Sequence, residues 1–240
     1  MDAPKVKFCG IARLDDAEHA AELGAWAVGM IFWPRSPRRC EMDEAAAISA
    51  ALKRRTELAG VFVDAHLDEV AATADALELT LIQLHGDEGP AYCAEVARRT
   101  GAKVIKAARV RGRADVRALH AFAAVDFHLL DAYAPGRPGG TGETFAWELA
   151  SEHPRDRPLI LSGGLVPGNV RDAIAAVRPF AVDVASGVEC EPGVKDHALM
   201  AAFAQAVRAT AASPAAPPSS ADGSPGAAPA PSAPAPERAA

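Results

Sequence analysis

Short apolar runs recur along the chain at regular intervals. Each is followed by a polar or glycine turn and then by a longer stretch rich in Ala, Glu and Arg at helical spacing. The strand-like runs are Val6 to Cys9, Ala27 to Phe32, Leu58 to Val63, Leu81 to Leu84, Val104 to Ala108, Phe127 to Leu130, Leu159 to Leu161 and Ala181 to Ala185. The stretches that read as helices are Leu14 to Leu23, Met42 to Arg54, Leu67 to Leu77, Gly89 to Arg99, Ala114 to Phe122, Phe145 to Ala150, Pro167 to Val177 and Lys195 to Arg208. Asp15 and Asp16 suit the first turn of the first helix, and Pro167 suits the start of the seventh. Strands that alternate with helices pair in parallel, because the helix is the crossover. Eight such units predict an α/β protein, a single (β/α)8 TIM barrel over residues 5–209, with a doubly wound open sheet as the alternative.

The pattern stops at Ser213. From there to Ala240 the chain is Ala, Pro, Ser and Gly, with eight of the nineteen prolines and no apolar periodicity. Such a segment has little to bury, so a disordered C-terminal tail over 213–240 is expected. Composition adds three exclusions. A formal net charge of −6 offers no basic face for nucleic acid. The longest apolar run, Ala25 to Trp33, is too short to span a membrane. Four scattered cysteines, Cys9, Cys40, Cys93 and Cys190, form no Cys-x-x-Cys pair, and no histidines cluster at metal spacing. These features fit a cytoplasmic protein with free thiols and no bound metal.

Active sites of such barrels sit where the strands end. The first strand ends in Cys9, the sixth in Asp131, the fourth in His85, and the second runs on to Arg38. Ser162-Gly163-Gly164 and Ser186-Gly187 follow strands seven and eight, where glycine N–H groups commonly hold a phosphate in this fold. A thiol and a carboxyl group facing one mouth can act as base and acid. Each residue also has a structural reading. Cys9 could be a small core side chain, Asp131 a loop cap, Arg38 a solvated charge and His85 a turn residue or a proton shuttle. Lys7 shares a face with Cys9 and could activate it or pair with Asp183 on strand eight. Cys40, Cys93 and Cys190 are expected in loop or helix positions and inert.

The motif Lys7-Phe8-Cys9-Gly10-Ile11 resembles the opening of the phosphoribosylanthranilate isomerase family. The resemblance continues through Gly29 to Arg38, Gly60 to Val63, Ile82 to Gly86, Leu129 to Asp131 and Gly139 to Gly142 with Phe145 and Trp147. It ends with Leu161 to Leu165, Val170-Arg171, Ala181 to Val184, Ser186 to Glu189 and Lys195-Asp196. It implies a (β/α)8 enzyme of tryptophan biosynthesis that carries out an Amadori rearrangement of a phosphorylated small molecule. It further implies Cys9 as general base, Asp131 as general acid and Arg38 as the anthranilate-carboxylate ligand, with no cofactor. His85, Gly163, Gly164, Ser186 and Gly187 are the remaining candidate substrate contacts. Ala12, Ala146 and Ala185 depart from the family pattern without removing an assigned group. The alternative function is a sugar-phosphate-binding barrel or partner scaffold without turnover. A monomer is expected, since no apolar surface element stands out.

Overall fold

A computed structural model describes residues 2–131, 147–150, 152, 153 and 155–212. Eight parallel strands close into a barrel in chain order. They are β1 (Lys5–Cys9), β2 (Ala27–Ile31), β3 (Glu57–Phe62), β4 (Leu81–Leu84), β5 (Lys103–Arg109), β6 (Phe127–Asp131), β7 (Leu159–Ser162) and β8 (Ala181–Val184). The helices between them are α1 (Leu14–Glu22), α2 (Met42–Leu52), α3 (Leu67–Ala76), α4 (Pro90–Thr100), α5 (Arg113–Ala118), α6 (residues 147–150), α7 (Val170–Val177) and α8 (His197–Ala212). The open-sheet alternative is excluded by the β1–β8 pairing, which sets Lys7 opposite Asp183 and Phe8 opposite Val184.

Period-two alternation sorts the side chains of each strand. Ala27, Ala59, Leu81, Ile105, Leu129, Ile160 and Ala181 fill the barrel interior. Val6, Phe8, Val28, Met30, Ile82, Leu130 and Val182 point outward into the layer under the helices. Small aliphatic residues dominate the interior because eight tilted strands leave room for little more. Three of the scarce aromatics close the base. Trp26, Phe127 and Phe180 meet there with ring centroids 5.3–5.4 Å apart, and the Lys5 ammonium lies over two of them. The barrel is thus plugged at the N-terminal end, and its polar groups gather at the other.

The structure corrects four local expectations. Lys195 does not begin the last helix. It lies in β10 (Val194–Lys195), which pairs antiparallel with β9 (Glu189–Glu191) in a hairpin between β8 and α8. Cys190 therefore sits in a short strand rather than a loop or helix. Pro167 precedes α7 in a turn, and Asn169 takes the N-cap position with its side chain turned back to the preceding loop. The fifth helix ends at Ala118 and tightens into a three-residue 3-10 turn over Leu119–Ala121. The expected tail over 213–240, Phe145, Ala146 and the Gly139 to Gly142 motif lie outside the described residues.

Candidate active site

At the C-terminal end of β1, Lys7 and Cys9 face inward together, as their i, i+2 spacing dictates. Lys7 is fully buried and its Nζ lies 2.8 Å from Asp183 Oδ1. The other carboxylate oxygen, Oδ2, accepts a hydrogen bond of 3.1 Å from Ser162 Oγ on β7. The ion-pair reading of Lys7 is realised, and the same ammonium also acts on Cys9. Burial alone works to lower the Lys7 pKa, but Asp183 and Cys9 outweigh it and the net movement is upward. Lys7 is therefore a permanent cation.

Cys9 is 4% exposed. Burial and the Asp183 charge push its thiol up, while Lys7 and then Lys195 pull it down, and the net result is a raised pKa. Room for this arrangement comes from Gly29 on β2. A Cβ there would stand 2.9 Å from Cys9 Sγ and 3.0 Å from Lys7 Nζ.

Arg38 and Lys195 converge on Glu189. The Arg38 Nε donates to both carboxylate oxygens at 2.9 Å and Nη2 donates to Oε2 at 2.8 Å, while Lys195 Nζ donates to Oε1 at 2.8 Å. Burial would raise the Glu189 pKa, yet the hydrogen bonds from Arg38 and Lys195 overcome it and hold the carboxylate ionised. Lys195 is lowered, with burial the first cause and Glu189 opposing it. Glu189 and Lys195 lie in motifs that carry the family resemblance, but the sequence alone assigns neither a role. Their six-residue separation becomes informative only once the hairpin folds one over the other.

Across the barrel, Asp131 ends β6 on the same inward face as Leu129. Its Oδ2 lies 3.4 Å from His85 Nε2, just beyond the end of β4. His85 Nδ1 is 3.0 Å from the Nε2 of Gln83, which is buried in the barrel wall. A half-open cleft of about 350 Å³ lies beside His85, bordered by Asp64, Asp87, Arg109 and Arg111.

The loops after β7 and β8 hold the proposed phosphate groups. Gly163 and Gly164 have φ of 94° and 64°, values that strain any other residue. Asn169 ties this loop, donating to Gly164 O at 3.0 Å and accepting from the Val166 N–H at 2.9 Å. Ser186 and Gly187 open a 3-10 turn. Gly187 is pressed so closely on the Leu165 carbonyl that a Cβ has no room.

The family model of N-(5'phosphoribosyl)anthranilate (PRA) isomerase matches residues 6–206. The chain belongs to the phosphoribosylanthranilate isomerase family. The N-(5'-phosphoribosyl)anthranilate isomerase of Geobacter sp. strain M21 is 50% identical over 192 residues, covering 80% of this chain and 92% of its own. That of Azotobacter vinelandii is 48% identical over 211 residues, covering 87% and 99%. The crystal structure of phosphoribosyl anthranilate isomerase from Thermotoga maritima superposes with a TM-score of 0.79 at 42% identity, covering 86% of this chain and 99% of its own. A further phosphoribosyl anthranilate isomerase structure, in complex with reduced 1-(o-carboxyphenylamino)-1-deoxyribulose 5-phosphate, superposes at 0.76 with 39% identity over 86% and 99% of the two chains.

One group with metal-ligand spacing escaped the sequence reading. His128, His153 and Asp156 present ligand atoms within 4.8 Å of one another. His128 alternates with Leu129, so it faces the helix layer and not the phosphoribosylanthranilate isomerase mouth. His153 Nδ1 accepts the Arg155 N–H at 3.2 Å, so its Nε2 carries the proton and donates to His128 Nδ1 at 2.9 Å. A metal at that place would require Nδ1–H on His153, against the Arg155 N–H. The pair fits a neutral hydrogen-bonded pin better than a metal centre.

Proposed function

We infer that the protein converts N-(5'-phosphoribosyl)anthranilate to 1-(2-carboxyphenylamino)-1-deoxyribulose 5-phosphate in tryptophan biosynthesis, on the site described above. The observation that carries the residue assignment is the placing of Cys9 and Asp131 at the ends of β1 and β6, both on the inward face of one closed barrel.

Asp131 donates its proton to the furanose ring oxygen, and the C1–O bond breaks to leave an iminium at C1. Cys9, as thiolate, removes the C2 proton, and the C2–H electrons flow into the iminium to give an enolamine. Gain of a proton at C1 and loss of one from the C2 hydroxyl then yield the ketone. The substrate's own iminium is the electron sink, so the scheme requires no added redox group. Solvent must then return a proton to Asp131 and take one from Cys9. Arg38 is assigned to the anthranilate carboxylate and Gly163, Gly164, Ser186 and Gly187 to the phosphate, with His85 beside Asp131 where the sugar ring must open. Support comes from the guanidinium fork, which suits a carboxylate, and from the crossed β7 and β8 loops.

Barrel residues 5–209 form the proposed catalytic domain, and 213–240 is proposed to be dispensable. Because α8 runs to Ala212, the chain should be cut after that residue. Activity and Tm are expected to match the full chain. We further propose a cytoplasmic monomer. All four cysteines are free, no helix among the described residues is long and apolar enough to cross a membrane, and the exposed large hydrophobics Met42, Val166 and Leu199 are scattered. One described relative from Thermotoga maritima is dimeric, so sedimentation decides this point.

Fluorescence decay of freshly formed phosphoribosylanthranilate tests the mechanism. Cys9→Ser and Asp131→Asn should each lower kcat by about 10² or more. Equal rates in all three proteins would overturn the assignment, and binding without any turnover in the wild type would favour the scaffold reading.

A further inference from the structure

We propose that Gln83 is a positioning residue that fixes the tautomer of His85, making it a permanent hydrogen-bond donor to Asp131 rather than a proton shuttle. The inference rests on Asp131 being the general acid.

Three groups form a line from the barrel wall to the mouth. Gln83 is 1% exposed and sits on the inward face of β4. Its amide Nε2 is 3.0 Å from His85 Nδ1, and His85 Nε2 is 3.4 Å from Asp131 Oδ2. A carboxamide N–H can only donate. The ring nitrogen it meets must therefore accept, which leaves the imidazole proton on Nε2, the atom facing Asp131. The carbonyl oxygen, Oε1, is buried with no hydrogen-bond partner, so the amide is held through its Nε2 end.

The lock has a chemical consequence. A histidine shuttle takes a proton on one ring nitrogen and releases it from the other. Nδ1 is sealed by an amide that does not surrender its proton on any catalytic timescale, so that route is closed. What remains is a neutral Nε2–H, 3.4 Å from the oxygen that becomes negative when Asp131 has protonated the furanose, a contact longer than a formed hydrogen bond. The contact tightens into a bond as the acid gives up its proton, so it favours the transition state over the ground state. The opposite tautomer would present a lone pair to Asp131 and compete with substrate for its proton.

Nitrogen-15 NMR of the ligand-free protein reads the tautomer directly and independently of any assay. The wild type is expected to show His85 protonated at Nε2. Gln83→Leu should give a mixture of tautomers, with kcat lowered about tenfold and KM held within about twofold. Gln83→Glu, whose carboxylate accepts from Nδ1–H, should move the proton to Nδ1 and cost more in kcat than Gln83→Leu. A wild-type His85 protonated at Nδ1, or a Gln83→Leu variant with displaced tautomers and unchanged kcat, would overturn the proposal. If Asp131→Asn keeps full activity, the acid assignment fails instead, while the tautomer result stands by itself.

Discussion

Arg38 and Glu189, 151 residues apart in the chain, are clasped by contacts of 2.8–2.9 Å from Nε and Nη2 to both carboxylate oxygens. One edge of the guanidinium is thus committed, and among the described residues Nη1 has no hydrogen-bond partner. An arginine held this way is oriented before substrate arrives, which spares the ordering cost of a free side chain. Arg38→Lys keeps the charge but loses the fork, so KM should rise about tenfold or more with a smaller change in kcat. Glu189→Gln should raise KM less, since the substrate contact survives and only its orientation is loosened. Initial-rate kinetics over a range of substrate concentration check both.

The absence of a side chain at Gly29 is a requirement of the β1 site. Gly29→Ala would set a methyl group against Cys9 Sγ and Lys7 Nζ, neither of which can withdraw from the barrel interior. Activity should fall by about tenfold or more, as for displacement of a reacting group by a fraction of an ångström. Gly89→Ala, where a Cβ meets nothing within 4 Å, is the control and should leave kcat unchanged.

The proposed catalysis by Cys9 as a thiolate carries a pH signature. Its pKa is raised, burial and Asp183 outweighing Lys7 and Lys195, so the free protein holds a thiol at neutrality. The rising limb of kcat/KM should lie above pH 8.5, the ordinary thiol value. Removing a cation that favours the thiolate raises that pKa further. In Lys195→Met the limb should therefore move to still higher pH, and a limb that stays put would separate Lys195 from the thiol.

The His128–His153 pin predicts acid sensitivity of the fold. Burial, then repulsion from His128, lowers His153 from its usual value near 6.5 to about 4, and burial lowers His128 as well. Between these limits the unfolded chain binds a proton that the folded chain refuses. Stability is therefore full above about pH 6.5, falls as pH falls through the window, and levels off below about 4. Tm measured between pH 6.5 and 5, above most carboxylate titration, should drop in the wild type and drop less in His153→Gln.

The barrel was legible because its signal is repeated. Eight apolar runs alternating with eight helical stretches leave few other topologies, and strand ends then place Cys9, Asp131, His85 and the two glycine-bearing loops at one mouth. Lys7 opposite Asp183 could also be anticipated, since both are charged residues at inward strand positions. Lys195 could not, because a two-strand hairpin this short carries no periodicity and Lys195 reads as the polar start of a helix. Gln83 looked like an ordinary core-strand residue; only its distance to His85 gives it meaning. The His128–His153 pair was hidden for a similar reason. Twenty-five residues separate the two, and the turn that brings them together has no distinctive pattern.

Strand β1 leaves the ribosome before every other strand of the barrel, and its partner β8 after them. The Lys7–Asp183 bond spans 176 residues. Until that bond forms, burying Lys7 would strand a bare ammonium among aliphatic side chains, so the first strand has reason to wait. Cys9 meets Gly29 as soon as β1 pairs with β2, but it gains the charges of Asp183 and Lys195 only when the ring shuts. The full electrostatic setting of this thiol therefore marks closure of the barrel. A nascent or prematurely terminated chain that lacks β8 carries the proposed base but not the full set of charges that sets its protonation.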